Sequence, residues 1–211
     1  MKIKVCGITR REDLQQLVNY QVDYAGFIFY EKSPRFAGNK LDARTVRERQ
    51  DIRKVGVFVN APLEQVLRTI ADYGLDLVQL HGDETPAYCA TLRTTLPVIK
   101  AFRIGENVEW EQLLAPYLEV TDYFLFDTAA GKAYGGTGKQ FNWALLKTYP
   151  YTHPFFLSGG IGQEEVPGLL QLDMPALFAV DVNSRFEIQP GIKDMKKVQV
   201  FTDQIHSTYL K

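Results

Sequence analysis

The segment KIKVCGITRRED, residues 2–13, changes character twice in a short span. Residues 2–6 carry Ile and Val in alternation with lysine, the pattern of a half-buried strand. The pair Cys6-Gly7 breaks that run. Thr9-x-x-Glu12 then has the spacing of a capping box, which predicts a helix starting near Thr9. A strand that passes directly into a helix is one βα unit. Chains built from such units have parallel strands joined by helical crossovers.

The same unit recurs along the chain. Runs rich in Val, Ile, Phe and Tyr predict further strands near 24–30, 54–59, 76–80, 97–102, 123–127, 155–158 and 177–182. Helical periodicity fills the gaps. Leu63, Val66, Leu67 and Ile70 fall on one face. So do Trp110, Leu113, Leu114, Tyr117 and Leu118, and later Val198, Phe201 and Ile205. Thr85 before Pro86 marks a helix start with proline in the first turn. Eight such units in 211 residues predict an α/β fold: one (β/α)8 TIM barrel, a single catalytic domain over 1–211. The alternative is an open doubly wound sheet, and the lack of a GxGxxG motif favours the barrel.

Composition narrows the function. Hydrophobic residues make up 45% and charged residues 23%, as in ordinary globular proteins, and the formal net charge is −1. That charge argues against nucleic acid or an anionic membrane as partner. The two cysteines lack CxxC spacing, so neither a disulfide framework nor a zinc ribbon is expected. No signal-peptide or membrane-span pattern is evident, so the expected compartment is the cytoplasm.

In a barrel the active site lies at the C-terminal ends of the strands. There the sequence places Cys6, His81, Asp127, Ser158-Gly159-Gly160 and Asp181 with Asn183 and Ser184. Alone, Cys6 reads as a small buried hydrophobe. Alternation puts Lys4 on the same strand face, however, and an ammonium below the thiol would favour thiolate and hence a base. Asp127 reads either as a turn carboxylate or as a general acid whose burial raises its pKa. The glycine-rich segment GKAYGGTGKQ, 131–140, is not a P-loop: Ala133 stands where glycine is required and Gln140 where Ser or Thr is required. A loop that closes over the active site is the better reading.

The loops SGGIG (158–162) and DVNSRFE (181–187) follow strands 7 and 8, where barrels commonly hold a phosphate. Arg35, stiffened by Pro34, presents a planar fork suited to a carboxylate. His81 has no second histidine or acidic cluster at ligand spacing, so no metal is expected. Cys89 reads as core, and His153 and His206 acquire no role.

Taken in order, KVCGIT, GFIFYEKSPR, VGVFVN, VQLHGDE, LFDT…GGTGKQFNW, SGGIG and DVNSRFE…PGIKD span essentially the whole chain. Together they resemble the phosphoribosylanthranilate isomerase family of tryptophan biosynthesis. The resemblance implies an Amadori rearrangement of N-(5′-phosphoribosyl)anthranilate without cofactor. It implies Asp127 as general acid, Cys6 as general base, Arg35 on the anthranilate carboxylate, and His81 and Asp181 near the substrate. It also implies a phosphate site at Gly159, Gly160, Asn183 and Ser184, in a monomer or homodimer. One departure stands out: Arg185-Phe186 replaces a Gly-Val common in the family, with either phosphate or solvent as the place for Arg185.

Two other classes fit parts of the pattern. A phosphosugar isomerase or aldolase on the same barrel would share the phosphate loops, but would more often use a carboxylate pair, a metal or a Schiff-base lysine such as Lys4 or Lys100. A non-catalytic phospholigand-binding barrel would not need both Cys6 and Asp127.

Overall fold

The computed structural model describes residues 1–128 and 142–208. The glycine-rich segment 131–140 therefore lies outside the described residues. Eight parallel strands close into a barrel in the order β1 to β8: Lys2–Val5, Tyr24–Ile28, Arg53–Phe58, Leu77–Leu80, Val98–Ile104, Tyr123–Thr128, Phe155–Leu157 and Leu177–Val182. The ring is sealed by pairing of β1 with β8, from Lys2 opposite Ala179 to Val5 opposite Val182. Helices α1 (Arg11–Asn19), α2 (Ala43–Arg47), α3 (Leu63–Tyr73), α4 (Pro86–Arg93), α5 (Trp110–Leu114), α6 (Val166–Leu170) and α7 (Met195–Thr208) connect the strands or close the chain. A 3-10 segment, Trp143–Thr148, leads into β7.

The strand alternation sorts residues into two apolar clusters. One joins the outward strand faces to the helices and includes Val5, Phe27, Leu80, Phe126, Val198 and Phe201. The other fills the lower barrel with Tyr24, Val55, Leu77, Ile99, Leu125, Phe156 and Ala179. Each buried phenylalanine contributes about 1.5–3 kcal/mol relative to exposure. One step up the same strands, the interior becomes polar, with Lys4, Gln79 and Asp181 all buried. The apolar floor sets the register; the polar layer above it belongs to the site.

Local expectations fare unequally. Thr85 caps α4, with Pro86 in its first turn. The capping box at Thr9 does not form. Helix α1 begins at Arg11, its N-cap position is Arg10, and no side chain caps it. The Thr9 hydroxyl instead donates to the Gly191 carbonyl, so a long-range contact takes it away from the helix. In α3, Val66 is buried while Leu67 is 39% exposed, so the apolar stripe is narrower than its periodicity suggests. After β8 a two-stranded ribbon, β9 (Glu187–Gln189) against β10 (Ile192–Lys193), appears where the sequence pattern predicts only a loop. Among the described residues, no helix is long and apolar enough to cross a membrane.

Candidate active site

The predicted residues gather at one end of the barrel. Cys6 follows β1 and its backbone N–H still donates to the Val182 carbonyl, 2.9 Å away, so β8 holds it in strand geometry. Gly7 then turns with φ +77°, a left-handed conformation that favours glycine. A Cβ there would lie 2.8 Å from Asn183 Oδ1 and 2.9 Å from Arg35 Cδ. The break after Cys6 is thus where three loops meet. On β2, a Cβ at Gly26 would lie 2.8 Å from Cys6 Sγ, so the glycine makes room for the thiol.

Lys4 lies on the Cys6 face as expected, but its ammonium is shared. Its Nζ donates to Asp181 Oδ1 at 2.9 Å, and both side chains are buried. Burial alone would lower Lys4, whereas Asp181 and the Cys6 sulfur hold it above the ordinary lysine range. The expected net thiolate stabilisation is not seen. Burial pushes the Cys6 thiol up, and the charges of Lys4 and Lys193 only partly offset this. Burial is the largest cause, and the Asp181 carboxylate adds to it by offsetting part of the Lys4 charge beside the sulfur.

Asp127 lies near the end of β6 with 6% of its surface exposed. Its Oδ1 accepts from the Thr128 backbone N–H at 2.8 Å. Its Oδ2 lies 3.4 Å from His81 Nε2. That contact lacks hydrogen-bond geometry, leaving His81 Nε2 buried without a hydrogen bond among the described residues. The other ring nitrogen, Nδ1, is 2.9 Å from the Gln79 amide nitrogen. Gly159 has φ +93°, and a Cβ there would come within 2.9 Å of Asp127 Oδ1. Gly160 is also left-handed, with φ +67°. Successive glycines can turn backbone N–H groups towards an anion.

Arg35 is not free. Its Nε donates to Glu187 Oε1 at 2.9 Å, and Nη2 donates to Oε2 at 2.7 Å. Glu187 also accepts from Lys193 Nζ at 3.0 Å and from the Gly191 N–H at 3.0 Å. Burial would raise Glu187, but Arg35 and Lys193 outweigh it and hold the carboxyl below its ordinary range. Lys193 Nζ further donates to Asn183 Oδ1 at 2.8 Å, so the Asn183 side chain is engaged by the protein itself. Two cations thus share one carboxylate between the loop after β2 and the ribbon after β8, an arrangement that favours a further anion.

Arg185 lies at the exposed surface, the solvent side of its two expected places. It pairs with Glu164 in the loop after β7, and its Nη2 is 3.9 Å from Glu165 Oε1. Glu165 in turn accepts from the Gly162 N–H at 2.7 Å. Lys100, a Schiff-base candidate of the rival reading, has its ammonium bound by Glu84 and by the Gly82 carbonyl at 2.8 Å. Cys89 is core, and burial pushes its thiol up to about 11. Local sequence patterns do not single out Gln79, Glu187 or Lys193. The available signal was a polar or charged residue at an inward strand position, or inside an otherwise recognisable motif.

The family model described as N-(5′-phosphoribosyl)anthranilate isomerase matches residues 3–204. The chain belongs to that family. A relative from Parabacteroides distasonis named N-(5′-phosphoribosyl)anthranilate isomerase is 39% identical over 208 residues, covering 97% of this chain and 93% of the relative. Among solved structures, monomers of the dimeric phosphoribosylanthranilate isomerase from Thermotoga maritima align with TM-score 0.83 and 33% identity, covering 98% of this chain and 99% of that one. A phosphoribosylanthranilate isomerase in complex with reduced 1-(o-carboxyphenylamino)-1-deoxyribulose 5-phosphate aligns equally well, with TM-score 0.83, 33% identity and the same coverage. Phosphoribosylanthranilate isomerase chains thus match this one from end to end in sequence and in barrel.

Proposed function

We propose that this chain converts N-(5′-phosphoribosyl)anthranilate to 1-(2-carboxyphenylamino)-1-deoxyribulose 5-phosphate with Asp127 as general acid and Cys6 as general base. The observation that carries this reading is their placement at one end of the closed barrel, on β6 and just after β1, with β7 and β8 between them. A substrate seated over that gap would meet a proton donor on one side and an acceptor on the other.

In the first step Asp127 gives its proton to the furanose ring oxygen. The C1′–O bond breaks, its electron pair stays on oxygen, and the nitrogen lone pair forms the C1′=N bond of a protonated Schiff base. The Cys6 thiolate then takes the proton from C2′, and the C–H electrons form the C1′–C2′ double bond of an enolamine. Tautomerisation moves the C2′ hydroxyl proton to C1′ and leaves the ketone. Substrate and product are isomers: Asp127 gives one proton and Cys6 takes one, and return of that proton from Cys6 to Asp127 through solvent restores the starting state. A thiol pushed up by burial is scarce as thiolate but strongly basic once ionised, and Lys4 and Lys193 supply the positive surroundings for it.

Arg35 binds the anthranilate carboxylate through the surplus positive charge it forms with Lys193 and Glu187. The phosphate lies against the left-handed turn at Gly159-Gly160 and the backbone at Asn183-Ser184. His81 and Asp181 border the reacting ribose. The whole of 1–211 acts as one catalytic unit, cytoplasmic, in a monomer or a homodimer, with no nucleic-acid partner. Loss of phosphoribosylanthranilate fluorescence in the presence of the purified chain tests the activity. No turnover by folded protein would remove this reading and favour another phosphosugar substrate.

A further inference from the structure

Gln79 is the feature of the barrel interior that the mechanism above leaves unexplained. It sits on β4, opposite Val57 and Ile99 on the neighbouring strands, and is 1% exposed. Its amide oxygen is buried without a hydrogen-bond partner among the described residues. Leaving such an atom unpaired in a buried site is costly. An aliphatic residue would avoid that cost, so the amide nitrogen is the part with a purpose. That nitrogen lies 2.9 Å from His81 Nδ1.

An amide nitrogen can only donate. His81 Nδ1 must therefore accept, and in the neutral ring the proton resides on Nε2. Nε2 is the nitrogen 3.4 Å from Asp127 Oδ2. The opposite tautomer would put a bare lone pair there, able to take the proton that Asp127 must deliver to substrate. With Nε2–H in place, His81 cannot accept that proton. It presents instead a donor that can tighten onto the carboxylate as negative charge develops.

We propose that Gln79 is a positioning residue that locks His81 in the Nε2–H tautomer, so that the proton of Asp127 goes to substrate and not to histidine. This rests on the general-acid assignment of Asp127 for its kinetic consequence but not for its tautomer. The test is nitrogen-15 NMR of the histidine rings at a pH where His81 is neutral, with His81 assigned by signals lost in His81→Asn. The wild-type protein is expected to show protonated Nε2 and bare Nδ1. The carboxylate introduced by Gln79→Glu accepts where glutamine donates, and is expected to swap the two nitrogens. The same variant is expected to lose roughly 10- to 100-fold in kcat with KM within about threefold. Gln79→Met, which removes the donor at similar volume, is expected to give mixed tautomers and a smaller loss.

Protonated Nδ1 in the wild type would overturn the proposal whatever the variants do. So would an unchanged tautomer, or a kcat within about threefold, in folded Gln79→Glu. Absence of turnover in the wild type with the Nε2–H signature intact would instead overturn the reaction assigned above and leave the tautomer lock standing.

Discussion

Glu187 holds Arg35 by two of its guanidinium nitrogens, Nε at 2.9 Å and Nη2 at 2.7 Å, across a sequence separation of 152 residues. This pair fixes the plane of the guanidinium over the barrel mouth and ties the loop after β2 to the ribbon after β8. Lysine cannot reproduce a two-point grip with one ammonium. Arg35→Lys is expected to raise KM for phosphoribosylanthranilate roughly 10- to 100-fold while kcat stays within about threefold. Steady-state kinetics checks this. A large fall in kcat with unchanged KM would show that Arg35 acts on the reacting centre and not on the carboxylate.

The same carboxylate predicts an acid-dependent stability. Glu187 is held below its ordinary 4.5 despite its burial, because Arg35 and Lys193 favour the charged form. A depressed carboxyl contributes stability that is complete above the unfolded value and lost as pH falls through the folded one. Glu187→Gln should therefore be less stable than wild type at neutral pH, by about 1–3 kcal/mol. The gap should close at an acidic pH below the folded value of Glu187. Urea denaturation at both pH values measures it. A gap of equal size at both would mean that glutamine fails on shape and not on charge.

Cys6 makes the opposite prediction. Its folded thiol lies above the ordinary 9.0, so the stability linked to it is complete below that value and lost as pH rises through the folded one. Cys89 is pushed up to about 11 and stays out of the same range. Ultraviolet thiolate absorbance of the substrate-free protein should show no step below about pH 8, and kcat/KM should climb with pH through the neutral range. A thiolate step at or below neutrality would show that Lys4 and Lys193 outweigh the burial of the sulfur.

The Arg185 guanidinium is spent on Glu164 at a partly exposed position. Exposed pairs of this kind contribute only about 0–1 kcal/mol. Arg185→Gly is expected to change KM by less than about threefold. A tenfold or greater rise would show that Arg185 leaves Glu164 for the substrate phosphate.

What the sequence revealed follows the range of the interactions involved. The barrel was legible because alternation and helical periodicity are local, and strand ends mark where a barrel does its chemistry. Cys6, His81, Asp127 and Asp181 were legible for the same reason, as polar groups terminating apolar runs. Thr9 misled because its hydroxyl is claimed by Gly191, 182 residues away, and no local pattern carries that contact. Lys4 was placed on the correct face, but its charge could not be judged without Asp181, which reaches it only when β1 closes on β8. Glu187 and Lys193 lie inside one continuous motif, and only the fold shows that their partners are Arg35 and Asn183. Gln79 is one polar residue in a short strand and has no local signature.

The most direct test of the acid–base account compares wild type with Cys6→Ala and Asp127→Asn, all three first shown to be folded. Substrate is formed in place from anthranilate and phosphoribosyl pyrophosphate, and its fluorescence loss is followed. Rapid loss in wild type, with kcat lowered at least about 100-fold in each variant, is the predicted result. Turnover that survives either substitution would contradict the account, because the remaining group cannot both give a proton to the ring oxygen and take one from C2′ in the geometry described.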